Sequence, residues 1–185
     1  MTEPIRIAIS GAAGRIGYAL VFRMAAGGVF GRDQPVSLSL LDVPDAVPIL
    51  QANEMELKDS AFPLLEGLSI SSDPVKAFKD ADWVILLGGH PLGRKYTNRI
   101  DLVRENGPIF VDHGRAINQA CPSARILVVA NPCNTNCLIA AQHAPNVPRE
   151  HWFAMNRLDW MRATSLIAHK AEVSVAQVNR VNIWG

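Results

Sequence analysis

Apolar residues recur along this chain in two rhythms, period two and period near 3.6. Ile5-Arg6-Ile7-Ala8-Ile9 alternates and runs into Ser10-Gly11, which reads as a strand ending in a glycine turn. Ile16 to Ala26 then carries Ile16, Ala19, Leu20, Phe22 and Met24 at helical spacing, with Gly27-Gly28 as the stop. Val36 to Leu41 is the next strand, closed by Asp42, and Ala46 to Lys58 is helical. Leu68 to Ser71 is a weak third strand, and Asp73-Pro74 caps and opens a short helix. Trp83 to Leu87 is continuously apolar, as in a strand covered on both faces. A long helix follows over Arg99 to Asn118, with a bend expected near Gly107-Pro108. Ile126 to Ala130 is a further apolar strand, Asn136 to His143 and Asn156 to Ala171 are helices, and Val181 to Trp184 starts a last strand. Strands alternating with helices predict an α/β fold with a doubly wound parallel sheet built by right-handed crossovers. There is no internal repeat, low-complexity tract or flexible linker.

Composition narrows the class without changing that picture. The 185 residues are 49% hydrophobic and 19% charged, which suits a globular core. A net charge of +1 gives no electrostatic case for nucleic acid or an acidic membrane. No window approaches the roughly 20 apolar residues of a membrane span, and the N-terminus, with Glu3, Pro4 and Arg6, shows no secretory apolar region. Three cysteines, Cys121, Cys133 and Cys137, lack a CxxC spacing, which argues against a disulfide scaffold or a metal site. Cys133 and Cys137, four apart, read as two small buried residues on one helix face. These features suggest a reducing cytoplasm.

The chemistry begins at Gly11-Ala12-Ala13-Gly14-Arg15-Ile16-Gly17, a G-x-x-G-x-x-G turn after a strand and before a helix. Gly11 lets the chain turn off the strand, Gly14 lets backbone N–H groups approach a pyrophosphate, and Gly17 allows close helix–sheet packing. The helix N-terminus attracts the phosphates. Asp42 stands 25 residues after Gly17, at the end of the second strand. A carboxylate there accepts hydrogen bonds from ribose hydroxyls and repels a 2′-phosphate, so the expected cofactor is NAD rather than NADP. The competing reading of Asp42 is a turn residue before Pro44.

Three motifs carry a family resemblance. Gly11 to Tyr18 (GAAGRIGY) is similar to the cofactor turn of the cytosolic-type malate dehydrogenases, in the lactate/malate dehydrogenase family. Val128 to Asn136 (VVANPCNTN) resembles that family's VxNPxNTN segment, and Ala154 to Ala163 (AMNRLDWMRA) its AMTRLDxxRA helix. The resemblance covers the whole chain in family order. It implies a Rossmann NAD-binding domain over residues 1–155 and, over 156–185, the start of a substrate domain truncated before most of its length. Asn131 resembles the asparagine near nicotinamide and substrate; its plainer reading is an Asn-Pro turn. Asp159 resembles the carboxylate that orients and charges the catalytic histidine. Arg162 resembles the arginine that clamps a substrate carboxylate through its planar fork; its plainer reading is a helix-surface ion pair.

The loop Gly88 to Arg99 matches the family's mobile substrate loop less well. Arg99 fits the third loop arginine, but the adjacent arginine pair is broken and the loop is one residue longer. Arg94 is the candidate for the distal carboxylate of oxaloacetate, against a reading as a solvated basic residue. After Asp159, Trp160 and Met161 replace the family's usual polar pair, which alters packing beside the site or at a subunit contact. The chain ends Asn182-Ile183-Trp184-Gly185, so the family's WGNH histidine would fall two residues past the end, and His90, His113, His143, His151 and His169 read as surface or structural. In the family, that histidine takes the hydroxyl proton while hydride passes from C2 to nicotinamide.

The expected function is therefore NAD-dependent interconversion of malate and oxaloacetate by a chain that is incomplete or a shortened homologue. A dicarboxylate is the expected small-molecule partner, and the full-length protein is expected to be a homo-oligomer. The exposed apolar face around Leu158, Leu166 and Ile167 is expected to meet the missing half or a second subunit. A noncatalytic NAD-binding or interaction protein and a lactate dehydrogenase-like enzyme stay open as alternatives. A sugar-nucleotide epimerase or short-chain reductase is disfavoured, because Tyr18 and Tyr96 are followed four residues later by Phe22 and Ile100 rather than lysine.

Overall fold

The computed structural model describes residues 2–90 and 98–183. Strands β1 (Ile5–Ser10), β2 (Val36–Leu41), β3 (Leu65–Ser71), β4 (Trp83–Leu86), β5 (Arg125–Val128) and β6 (Trp152–Ala154) form a parallel sheet in the order β3-β2-β1-β4-β5-β6. Helices α1 (Arg15–Ala25), α2 (Val47–Asp59), α3 (Pro74–Phe78), α4 (Arg99–Ala120) and α5 (Cys133–Gln142) connect them, and α6 (Arg157–Lys170) follows β6.

Alternation along the strands sends neighbouring side chains to opposite faces. Ile7, Ile9, Leu38, Leu40 and Ile85 pack with Val21 and Met24 of α1 and Leu50 and Leu57 of α2. Ala8, Val84, Leu86, Ile126 and Val128 pack on the other face with Phe78, Phe110, Ile117 and Cys137. Burial on both faces explains the continuous apolar run of β4. The strand order reverses between β1 and β4, and a crevice opens there beyond the carboxyl ends of the strands. The two candidate motif loops lie at that crevice.

Local chemistry sets several boundaries. Asp73 caps α3, its Oδ1 accepting from Val75 N at 2.9 Å and Lys76 N at 3.5 Å. Asn98 caps α4 by accepting from Asp101 N at 2.9 Å, and the helix runs on through Pro108. No helix among the described residues is long and apolar enough to cross a membrane.

Two expectations need correction. Residues 181–183 are not a strand; they lie against α6, where Trp160 Nε1 donates to Val181 O at 2.9 Å, and Trp184 lies outside the described residues. Residues 152–154, where the pattern predicts no element, form β6, because β5 offers an open edge and Ile126, Leu127 and Val128 pair with Trp152, Phe153 and Ala154. A three-residue strand after Pro148 is too short for alternation to reveal.

Candidate active site

The glycine turn is held by its own backbone. Gly11 has φ +70°, and a Cβ built on it would stand 2.5 Å from Gly88 N. Only glycine takes that conformation at that approach without strain. At Gly17 a Cβ would stand 2.5 Å from Ala12 O, so α1 starts pressed against the turn. Gly14 is the residue before α1; its N–H donates to Gly11 O at 3.1 Å and its carbonyl accepts from Tyr18 N at 2.9 Å. The first-turn N–H groups of Arg15, Ile16 and Gly17 are therefore the ones open toward an anion.

Asp42 closes the turn from β2. Its Oδ2 accepts from Ala13 N at 2.9 Å and its Oδ1 from Val43 N at 2.9 Å. The turn role and the binding role thus fall on one carboxylate: each oxygen has a lone pair left for a ribose hydroxyl. Gly11 and Asp42 line a cleft of about 260 Å³, together with Val43, Gly88, Gly89 and His113. The open first-turn N–H groups of α1 and the Asp42 carboxylate at this cleft fit a dinucleotide such as NAD.

A second cavity, of about 700 Å³, brings together Asn131 and Asp159. Val103 and Arg104 of α4, Cys133 and Ile183 also line it. Asn131 precedes a cis bond to Pro132. Asp159 lies in the first turn of α6.

Arg162 sits one turn further along α6 and pairs with Asp159 at 3.8 Å, with side chains 67% and 64% exposed. In this state the two form the surface ion pair that their spacing allows. Arg99 opens α4, with its side chain outside the described residues, as is all of Arg94. Trp160 stacks under Arg157, whose Cζ lies 3.9 Å from the ring centroid. Its bond to Val181 O holds the segment that delivers Ile183 to the cavity.

Residues 5–153 match the profile of the NAD-binding domain of lactate/malate dehydrogenases. The chain belongs to the lactate/malate dehydrogenase family. It is 50% identical over 186 aligned residues to a malate dehydrogenase of Protochlamydia amoebophila, an alignment covering 100% of this chain and 56% of that protein. The crystal structure of malate dehydrogenase from Naegleria fowleri superposes with a TM-score of 0.89 at 41% identity, covering 97% of this chain and 55% of that one. Trichomonas vaginalis lactate dehydrogenase in complex with NADH and oxamate superposes with a TM-score of 0.88 at 41% identity, covering 96% and 53%. The chain spans about half the length of the relatives it matches. NAD is the cofactor of the matched domain.

Within this dehydrogenase framework, sequence reasoning passed over two asparagines. Asn106, fully buried in α4, accepts from His90 N at 2.7 Å and donates to His90 O at 3.2 Å and Asn131 O at 3.0 Å. Its signal was a polar residue on the buried stripe Leu102, Asn106, Phe110, His113, Ile117. Asn136, also fully buried, donates to Ala130 O at 2.9 Å, while its Oδ1 has no partner among the described residues. Among the histidines, His113 is structural: it packs against Phe78 and Phe110, and burial pushes its pKa down to about 4. Burial likewise pushes the Cys121 thiol up to about 12 and the Cys137 thiol up to about 11, so both are inert neutral groups. Cys133 is half-buried, its Sγ 3.4 Å from Met155 O.

Proposed function

We propose that this chain is the NAD-binding half, with the start of the substrate half, of a malate dehydrogenase that interconverts malate and oxaloacetate. The observation that carries the reading is the meeting of Asn131 and Asp159 at one cavity, across α4 from the glycine cradle. When bound, NAD supplies the hydride acceptor. In this reading the α1 N-terminus holds the pyrophosphate, and Asp42 accepts from the ribose and turns away a 2′-phosphate. Asn131 polarises the substrate oxygen. Asp159 orients and charges a histidine that serves as general base. Arg162 leaves Asp159 to clamp one substrate carboxylate, and Arg94 and Arg99 serve the distal one.

The profile match ending at residue 153 supports placing residues 156–185 in a second domain. The exposure of Leu158, Leu166 and Ile167 on α6 supports an oligomer or a covering second half. The free thiols of Cys121, Cys133 and Cys137 support a reducing cytoplasm.

None of the described histidines lines the cavity that holds Asp159. Residues 1–185 alone are therefore expected to bind NADH and to turn over slowly, since loss of the base costs on the order of 10²–10⁴-fold. A lactate dehydrogenase-like specificity is the second reading, favoured by the equal 41% identity to the malate and lactate dehydrogenase structures. The test is a fluorescence titration with NADH and NADPH, then with oxaloacetate or pyruvate added to the NADH complex. NADH binding well above NADPH, tightened by oxaloacetate and not by pyruvate, is the expected result. Tightening by pyruvate instead favours the second reading. Binding of NADH indifferent to both favours a noncatalytic NAD-binding protein, and no NADH binding overturns the assignment.

A further inference from the structure

We infer that Asn106 is a positioning residue that sets the spacing between the dinucleotide cleft and the Asn131 cavity. The inference rests on the NAD-binding reading above. The sheet joins the two loops as far as Leu86, whose carbonyl accepts from Val129 N at 3.0 Å and Ala130 N at 3.1 Å. Past that point Asn106 takes over. Its Oδ1 accepts from His90 N at 2.7 Å, and its Nδ2 donates to His90 O at 3.2 Å and to Asn131 O at 3.0 Å. One side chain thereby fixes the loop after β4 against the loop after β5.

Its place in the helix matches that task. One turn earlier on α4, Val103 and Arg104 line the larger cavity; one turn later Ile109, and two turns later His113, line the cleft. Gly89 lines the cleft and Asn131 lines the cavity. A ligand lying in both must fit the separation that the Asn106 carboxamide imposes. Only a side chain that accepts once and donates twice satisfies these three backbone groups. An ionised aspartate has no donor, and leucine has neither donor nor acceptor. Asn106 is 0% exposed, so its own carboxamide has no water to turn to when a partner is lost.

The two clefts give a test that separates positioning from general support of the fold. In the NAD-binding reading NADH would reach both, whereas ADP-ribose lacks the nicotinamide. The full chain and Asn106→Asp are titrated with each by calorimetry. The expected result is an NADH affinity weakened by about tenfold or more, with ADP-ribose affinity within about twofold of the parent. Equal weakening of both ligands, or no weakening of either, overturns the inference while leaving the cofactor assignment standing. Failure of the unaltered chain to bind NADH overturns both. If Asn106→Asp does not fold, Asn106→Gln probes the same contact, since it keeps the donor and acceptor but displaces them by one methylene. A smaller loss selective for NADH is expected there, and a loss shared by ADP-ribose overturns the inference.

Discussion

The cleft at the glycine turn and the cavity at Asp159 meet the same crevice but are held in different ways. The cleft is built from backbone: Gly11 against Gly88, Gly17 against Ala12, and Asp42 bonded to Ala13 N and Val43 N. Its wall ends in a buried histidine. The cavity takes Asp159 from α6, and on that helix Asp159 and Arg162 pair in solvent while Leu166 stays 69% exposed. The cleft is thus set by close backbone packing, whereas Asp159 and Arg162 stand on an exposed helix face.

The sharpest way to break this contrast is Gly11→Ala. The methyl group meets Gly88 backbone at a positive φ, so a stability loss of about 2–4 kcal/mol and loss of NADH binding are expected. A denaturant melt and a titration check both, and retained binding would show that the turn is not rigid. Next comes acid. His113 titrates near 6.5 when unfolded and at about 4 when folded, held neutral by burial although Asp112 lies beside it. The unfolded chain takes up the proton first. Stability is then complete above about pH 6.5, falls as pH drops toward 4, and levels off below. The full loss is on the order of 3–4 kcal/mol, and melts of the parent against His113→Gln at pH 7, 5.5 and 4.5 should isolate it.

Asp42→Asn keeps the shape but removes the charge. NADH binding should weaken about tenfold and the gap between NADH and NADPH should narrow, as read by parallel titrations. The smallest effect is expected at the open end. Arg162→Ala should change the stability of the chain by less than about 0.5 kcal/mol, because an exposed ion pair contributes little. A denaturation midpoint shifted by several times that amount would mean that α6 is braced by this pair.

Much of this was readable along the chain. Strands β1, β2 and β4, the caps around Asp73 and the glycine turn depend on residues near in sequence, and their expected positions agree with the fold. The strand at β6 was not readable, since only the open edge of β5 makes Trp152 to Ala154 extended. The segment from Val181 went the other way: its apolar residues suit a strand, but the bond from Trp160 lays it on α6. Of the candidate site, Gly11, Gly14, Gly17, Asp42, Asn131, Asp159 and Arg162 were named from motifs, while Arg94 and the Arg99 side chain lie outside the described residues.

By itself the sequence determined the alternation of elements, the glycine turn with its acid, and the family, because periodicity and short motifs are local. The tertiary structure alone decided that Asn131 and Asp159 share a cavity, that Arg162 faces its own helix neighbour, and that Asn106 ties two loops together. Those facts depend on which groups, near or distant in sequence, the fold brings within reach of a side chain, and at buried Asn106 the protein itself must satisfy the carboxamide.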